Sequence, residues 1–127
     1  MRSMLFHKTV LLQPTVTFLA VKPGGHYVDC TLGGGGHTAE IIRQGGKVLG
    51  LDQDPEALQA CLDLEGLIKV QSNFIHLAEV VKSHSWQPVL GILLDLGVSE
   101  HQIATSGRGF SFQSQGPLDM RMDPSLP

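Results

Sequence analysis

From Tyr27 onward the chain alternates short runs rich in Val, Ile and Leu with segments whose apolar residues recur at helical spacing, and turn residues separate the two. The runs Tyr27 to Thr31, Lys47 to Asp52, Ile68 to Gln71 and Val89 to Leu96 read as strands, brief and near-continuously apolar as in a parallel sheet covered on both faces. Between them, Thr38 to Gln44 predicts a short helix closed by Gly45-Gly46, since glycine can take the left-handed conformation that ends a helix. A second helix begins at Asp54-Pro55-Glu56, with Asp54 as N-cap, Pro55 at the first helical position and Glu56 facing the positive dipole end. Its apolar stripe is Ala57, Cys61 and Leu64. A third runs from Phe74 to Ser83, with Phe74, Leu77, Ala78 and Val81 spaced to share one face. Ahead of this core, Thr9 to Val21 is apolar, contains Pro14, and is read as a helix. After Leu96 the periodicity stops, and Gly107 to Asp123 reads as a loop-like tail.

Repeated βα units predict a doubly wound, mainly parallel α/β sheet, because crossovers are right-handed and helices must cover both faces. Any ligand then belongs at the carboxyl ends of the strands. With 127 residues the chain is expected to form one domain or part of one. It divides into an N-terminal segment (1–26), a βα core (27–99) and a tail (100–127). Its 42% hydrophobic and 17% charged residues exclude a disordered chain. The longest apolar stretch, Val89 to Leu94, is far short of the roughly 20 residues a membrane helix needs. The first residues lack the apolar core of a secretory signal, so a cytoplasmic location is the default. Cys30 and Cys61 have no Cys-x-x-Cys spacing and are read as reduced core residues. The histidines show no ligand spacing, so no metal is expected. A formal charge of −3 argues against a broad basic footprint, so an RNA partner's phosphates must be held mostly elsewhere.

The most informative segment is Val28 to Thr38, a strand running into four consecutive glycines and then a helix. Glycines at this junction let a ligand touch the backbone and leave the helix's first N–H groups open to it. A dinucleotide fingerprint can be forced as Gly34-x-Gly36-x-x-Ala39. The alternative is an acidic residue on the strand followed by spaced glycines, Asp29-x-Thr31-x-Gly33-x-Gly35. This resembles motif I of class I methyltransferases, in which the loop wraps the amino acid part of S-adenosylmethionine (AdoMet). Asp52, at the end of the second strand, suits both hydroxyls of a ribose; Asp54 competes for the role but is explained by helix capping. Ser72-Asn73-Phe74 ends the third strand, where Phe74 can flank an adenine or fill its helix's core stripe. Asp95 ends the fourth strand, where it can meet the methyl acceptor or simply form a turn.

Taken together, His7 to Leu12, Tyr27 to Thr38, Asp52 to Pro55, Gly91 to Ser99, Arg108 to Phe112 and Gly116 to Asp123 closely resemble the RsmH/MraW family. These are bacterial 16S ribosomal RNA cytosine-N4 methyltransferases with organellar relatives. The resemblance covers nearly the whole chain and implies the class I (Rossmann-like) AdoMet-dependent fold, cut off after the fourth strand. It implies AdoMet contacts at Gly35, Gly36, His37, Asp52, Phe74, Asp95 and Gln102, and Gly33 joins them through motif I. The chain departs from the family in carrying Glu100 and His101 after Ser99. Family members are also more than twice as long, with further sheet strands and an inserted helical domain.

The resemblance makes Asp95 the candidate catalytic group, accepting a hydrogen bond from the cytosine N4–H as well as serving the cofactor. Phe110 and Phe112 are candidates for stacking on the base, with Arg108 beside them; packing of both rings on the domain is the competing reading. The implied partner is the small ribosomal subunit, with a homodimer or a separate C-terminal portion as further associations. A non-catalytic AdoMet-binding fragment, or one piece of a split enzyme, is the principal alternative, and a NAD-dependent oxidoreductase a distant third.

Overall fold

The computed structural model describes residues 12–96. Four strands, β1 (His26–Asp29), β2 (Lys47–Asp52), β3 (Leu67–Gln71) and β4 (Val89–Leu93), form a single sheet in the order β3-β2-β1-β4. Every neighbouring pair is parallel. Helix α1 (Leu12–Leu19) precedes β1, α2 (Gly36–Arg43) joins β1 to β2, α3 (Pro55–Ala60) joins β2 to β3, and α4 (Leu77–Ser83) leads to β4. This is the doubly wound α/β architecture expected from the sequence.

The alternation of side chains along β1 and β2 sorts the core into two layers. Tyr27 and Val48 pack with Val16 of α1 and Ile41 of α2 on one face. Val28, Cys30, Leu49 and Leu51 pack with Val80, Val81 and Trp86 on the other. Trp86 is further fixed by its indole N–H, which donates to the Tyr27 carbonyl at 2.9 Å. Cys30 and Cys61 are free and buried, as expected.

Local signals account for the ends of the elements. Helix α2 finishes at Gly45-Gly46: the Gly45 N–H donates to the Ile42 carbonyl, the Gly46 N–H reaches the Ile41 carbonyl, and Gly45 has φ 95°. These are the two bonds of a Schellman motif. Asp54 caps α3, its carboxylate accepting the Glu56 N–H at 3.0 Å with Pro55 next in line. Pro14 falls in the first described turn of α1, where a missing N–H is tolerated.

Three elements differ from expectation. Helix α3 stops at Ala60, and Cys61, although buried, is its extended C-cap, so Leu64 lies beyond the helix. The segment from Phe74 begins as a 3₁₀ turn, Phe74–His76, before α4 starts. A 3₁₀ turn has about three residues per turn instead of 3.6, which rotates the succeeding helix about its axis. The buried face is therefore Val80 and Val81 with Leu77 beside them, while Phe74 and Ala78 are exposed. Finally, β4 ends at Leu93 rather than Leu96, because its backbone ladder with β1 closes where the Cys30 N–H donates to the Leu93 carbonyl. Among the described residues β4 is an edge strand, and Leu90, Ile92 and Leu94 are each about half exposed.

Candidate functional site

In an open parallel sheet the ligand crevice opens at the carboxyl ends of the strands, where successive connections depart in opposite directions. Here that point lies between β1 and β4: β2 and β3 extend the sheet to one side of β1, and β4 lies on the other. Three carboxylates of the sequence analysis gather at this edge, Asp29 ending β1, Asp52 ending β2 and Asp95 following β4.

Asp29 is buried, with 1% of its surface exposed. Its two oxygens are used separately: Oδ1 accepts the Thr31 N–H at 3.1 Å, and Oδ2 accepts the Thr38 hydroxyl at 2.8 Å. Burial pushes this carboxyl up to about 6; the two donors oppose the rise, and repulsion from Asp52 and Asp95 adds to it. The Thr38 bond ties the first turn of α2 to the end of β1, so the intervening glycines are held at both ends.

Within that loop, Gly33 and Gly35 have φ 52° and 85°, a region that favours glycine. Gly35 is the N-cap of α2 and offers no side-chain cap, and a Cβ there would stand 2.8 Å from the Cys61 Sγ. Gly36 and His37 open the helix, with His37 buried in its first turn. Asp52 braces the loop from β2: Oδ2 accepts the Gly33 N–H and Oδ1 the Asp54 N–H, both at 2.9 Å. Asp54 caps α3, as the sequence reading has it, while Asp52 contacts the glycine loop and the Asp54 backbone.

Phe74 sits in the 3₁₀ turn after β3 with 38% of its surface exposed, so it does not fill the core stripe that was its competing role. The Asn73 amide nitrogen beside it donates to the Gln53 side-chain oxygen at 3.1 Å, joining the ends of β3 and β2. Asp95 is half-buried, and its backbone N–H donates to the Thr31 hydroxyl at 2.7 Å. The structure thus brings Gly33, Gly35, Gly36, His37, Asp52, Phe74 and Asp95 to one edge of the sheet. Gln102, Arg108, Phe110 and Phe112 lie outside the described residues.

Sequence reasoning passed over three members of this edge: Thr38 as the partner of Asp29, the Thr31 hydroxyl, and the Gln53–Asn73 bridge. A Thr three residues after the N-cap glycine, following an acid on the preceding strand, was the available sign for the first. A separate recess of about 630 Å³, lined in part by Lys47, Glu65, Gly66, Leu67 and Trp86, lies at the amino ends of β2 and β3. It contains none of these residues. Among the described residues, no helix is long and apolar enough to cross a membrane, and no cluster of His, Cys, Asp and Glu could hold a metal ion.

Comparison with known proteins agrees with this architecture. The chain is 47% identical over 129 residues to a ribosomal RNA small subunit methyltransferase H from Symbiobacterium thermophilum. It is 44% identical over 127 residues to the protein of the same name from Acetivibrio thermocellus. These matches cover 95% and 92% of the chain but only 41% of each relative, so the chain spans less than half the length of the curated relatives it matches. A solved chain from Anabaena variabilis, described as a methyltransferase from an antibiotic biosynthesis pathway, is 16% identical and covers 50% of this chain and 26% of its own length. Its TM-score of 0.46 is too low to carry an argument. The MraW methylase family model, by contrast, matches residues 4–127, and with the parallel sheet in the order β3-β2-β1-β4 and the glycine loop after β1 it is decisive: the chain belongs to the MraW methylase family and has its Rossmann-like methyltransferase fold.

Proposed function

We propose that this chain supplies the AdoMet site of an enzyme that methylates the exocyclic N4 of a cytosine in small-subunit ribosomal RNA. The observation that carries the cofactor assignment is the meeting of Asp29, Asp52 and Asp95 around a glycine loop, close enough for the latter two to push the carboxyl of the first further up. Such an edge suits a ligand carrying a sulfonium and an ammonium, and disfavours the pyrophosphate of NAD. The RNA assignment is supported by the names of the relatives and by the family.

In this reading the backbone of Gly33, Gly35, Gly36 and His37 lines the amino acid part of the cofactor, Asp52 accepts the ribose hydroxyls, and Phe74 borders the adenine. Gln102 completes the set. When bound, AdoMet supplies a methyl group on a positively charged sulfur. The cytosine amine is a weak nucleophile, because its lone pair is delocalised into the ring. Asp95 accepts a hydrogen bond from N4–H as the nitrogen pyramidalises, and holds the amine in line for attack. Phe110 and Phe112 offer faces for the base, and Arg108 a contact for the RNA.

Residues 27–99 form the βα core of this proposal, with 1–26 and 100–127 as flanking segments. A second reading, a non-catalytic AdoMet-binding fragment or one piece of a split enzyme, is favoured for the chain by itself by its charge of −3, which leaves little to attract an RNA backbone. Among the described residues β4 has an open outer edge, and a partner portion or a second copy would pair there.

The test is incubation with labelled AdoMet and undermethylated small ribosomal subunits, with and without the C-terminal part of a homologue. Label on cytosine N4 only in the complemented reaction is the expected result. Label on another base or atom, or none in either reaction, would overturn the substrate assignment, and label from the chain alone would overturn the split reading.

A further inference from the structure

We infer that Thr31 is a positioning residue for Asp95, setting where the acceptor-facing carboxylate stands relative to the glycine loop. The inference rests on the methyl-transfer reading above and adds a residue to it.

The backbone ladder between β1 and β4 has its last rung at the Cys30 N–H and the Leu93 carbonyl, 2.9 Å apart. Beyond it the two chains diverge, since Leu32 turns to β2 and donates to the Leu51 carbonyl. The Thr31 side chain spans the gap that opens, its hydroxyl oxygen accepting the Asp95 N–H at 2.7 Å. Thr31 is itself pinned, because its own N–H donates to the buried carboxylate of Asp29. The hydroxyl therefore extends the sheet by one side-chain rung at the switch point, where the ligand crevice opens. A methyl group in place of the hydroxyl would keep the volume of the side chain and remove the acceptor. The Asp95 amide would then turn to water, and the carboxylate would move with it. In-line transfer is sensitive to such movement, a displacement of about 1 Å costing on the order of a hundredfold in rate.

The experiment compares Thr31→Val with Thr31→Ser in the complemented enzyme, reading single-turnover methyl transfer and AdoMet affinity separately. Hydrogen exchange of the Asp95 amide is read in the chain itself. Thr31→Val is expected to lower turnover about tenfold or more while AdoMet affinity stays within about threefold, and Thr31→Ser to remain near wild type on both. The Asp95 amide should exchange about tenfold faster in the Val variant only. Equal turnover in the Val and Ser variants, or equal loss of affinity and turnover, would overturn the inference. If the wild type transfers no methyl group, the methyl-transfer reading fails on that ground. The amide measurement then decides the contact independently: unchanged exchange in Thr31→Val overturns it.

Discussion

Replacing Asp29 with Asn should make the protein more stable at neutral pH than at acid pH, relative to wild type. The carboxyl is pushed up from 3.8 to about 6, chiefly by burial. Between those values the folded state binds more protons than the unfolded state, so this group's contribution to stability falls as pH rises through the window and levels off above it. At about 1.4 kcal/mol per pH unit, the span from 3.8 to about 6 corresponds to about 3 kcal/mol of destabilisation at neutral pH. Asparagine has no such titration. Its side-chain oxygen can still accept the Thr31 N–H, and its amide can donate to the Thr38 hydroxyl oxygen, so the shape of the site is kept. Urea unfolding followed by circular dichroism from about pH 4 to about pH 7 gives the stability difference, variant minus wild type, from which titrations common to both proteins cancel. That difference should grow by about 2.4 kcal/mol across the range, because a small part of the effect is already present at about pH 4. A flat or shrinking difference would show that burial does not dominate at Asp29 and would refute the reasoning.

Asp52→Ala should weaken AdoMet binding at least tenfold by calorimetry, since hydrogen bonds to a charged acceptor contribute about 1.5–3 kcal/mol each. Asp54→Ala should instead lower stability by about 1 kcal/mol through loss of the α3 cap, with little change in affinity. Gly35→Ala should destabilise the fold by about 1–2 kcal/mol in thermal unfolding, through its φ of 85° and the approach of the new Cβ to Cys61; an unchanged midpoint would contradict the loop geometry. Asp95→Ala should reduce turnover of the complemented enzyme more than AdoMet affinity, and equal reductions would make Asp95 a cofactor ligand only.

The features legible in the sequence were those whose cause is local. Gly45-Gly46 ended α2 and Asp54-Pro55-Glu56 began α3 because capping depends on a few adjacent residues. The glycine run after β1 and the acid ending β2 could be recognised in the same way. The face of α4 could not, because the 3₁₀ turn at Phe74 changes the phase of the helix and no periodicity announces it. Asp29 was legible only as the acid on the strand before the spaced glycines. Its burial against Thr38, and its closeness to Asp52 and Asp95, come from three strands that are distant in sequence. The same holds for Thr31 and Asp95, 64 residues apart and joined only by the pairing of β1 with β4. The early end of β4 results from that pairing too, whereas the apolar run through Leu96 suggested a longer strand.

The central claim, that the three carboxylates and the glycine loop form an AdoMet site, is tested most directly by titrating the chain in parallel with AdoMet, S-adenosylhomocysteine and NAD in a calorimeter. Saturable heats with AdoMet and its demethylated product, and none with NAD at the same concentrations, are the predicted result. Tighter binding of NAD than of AdoMet would contradict it.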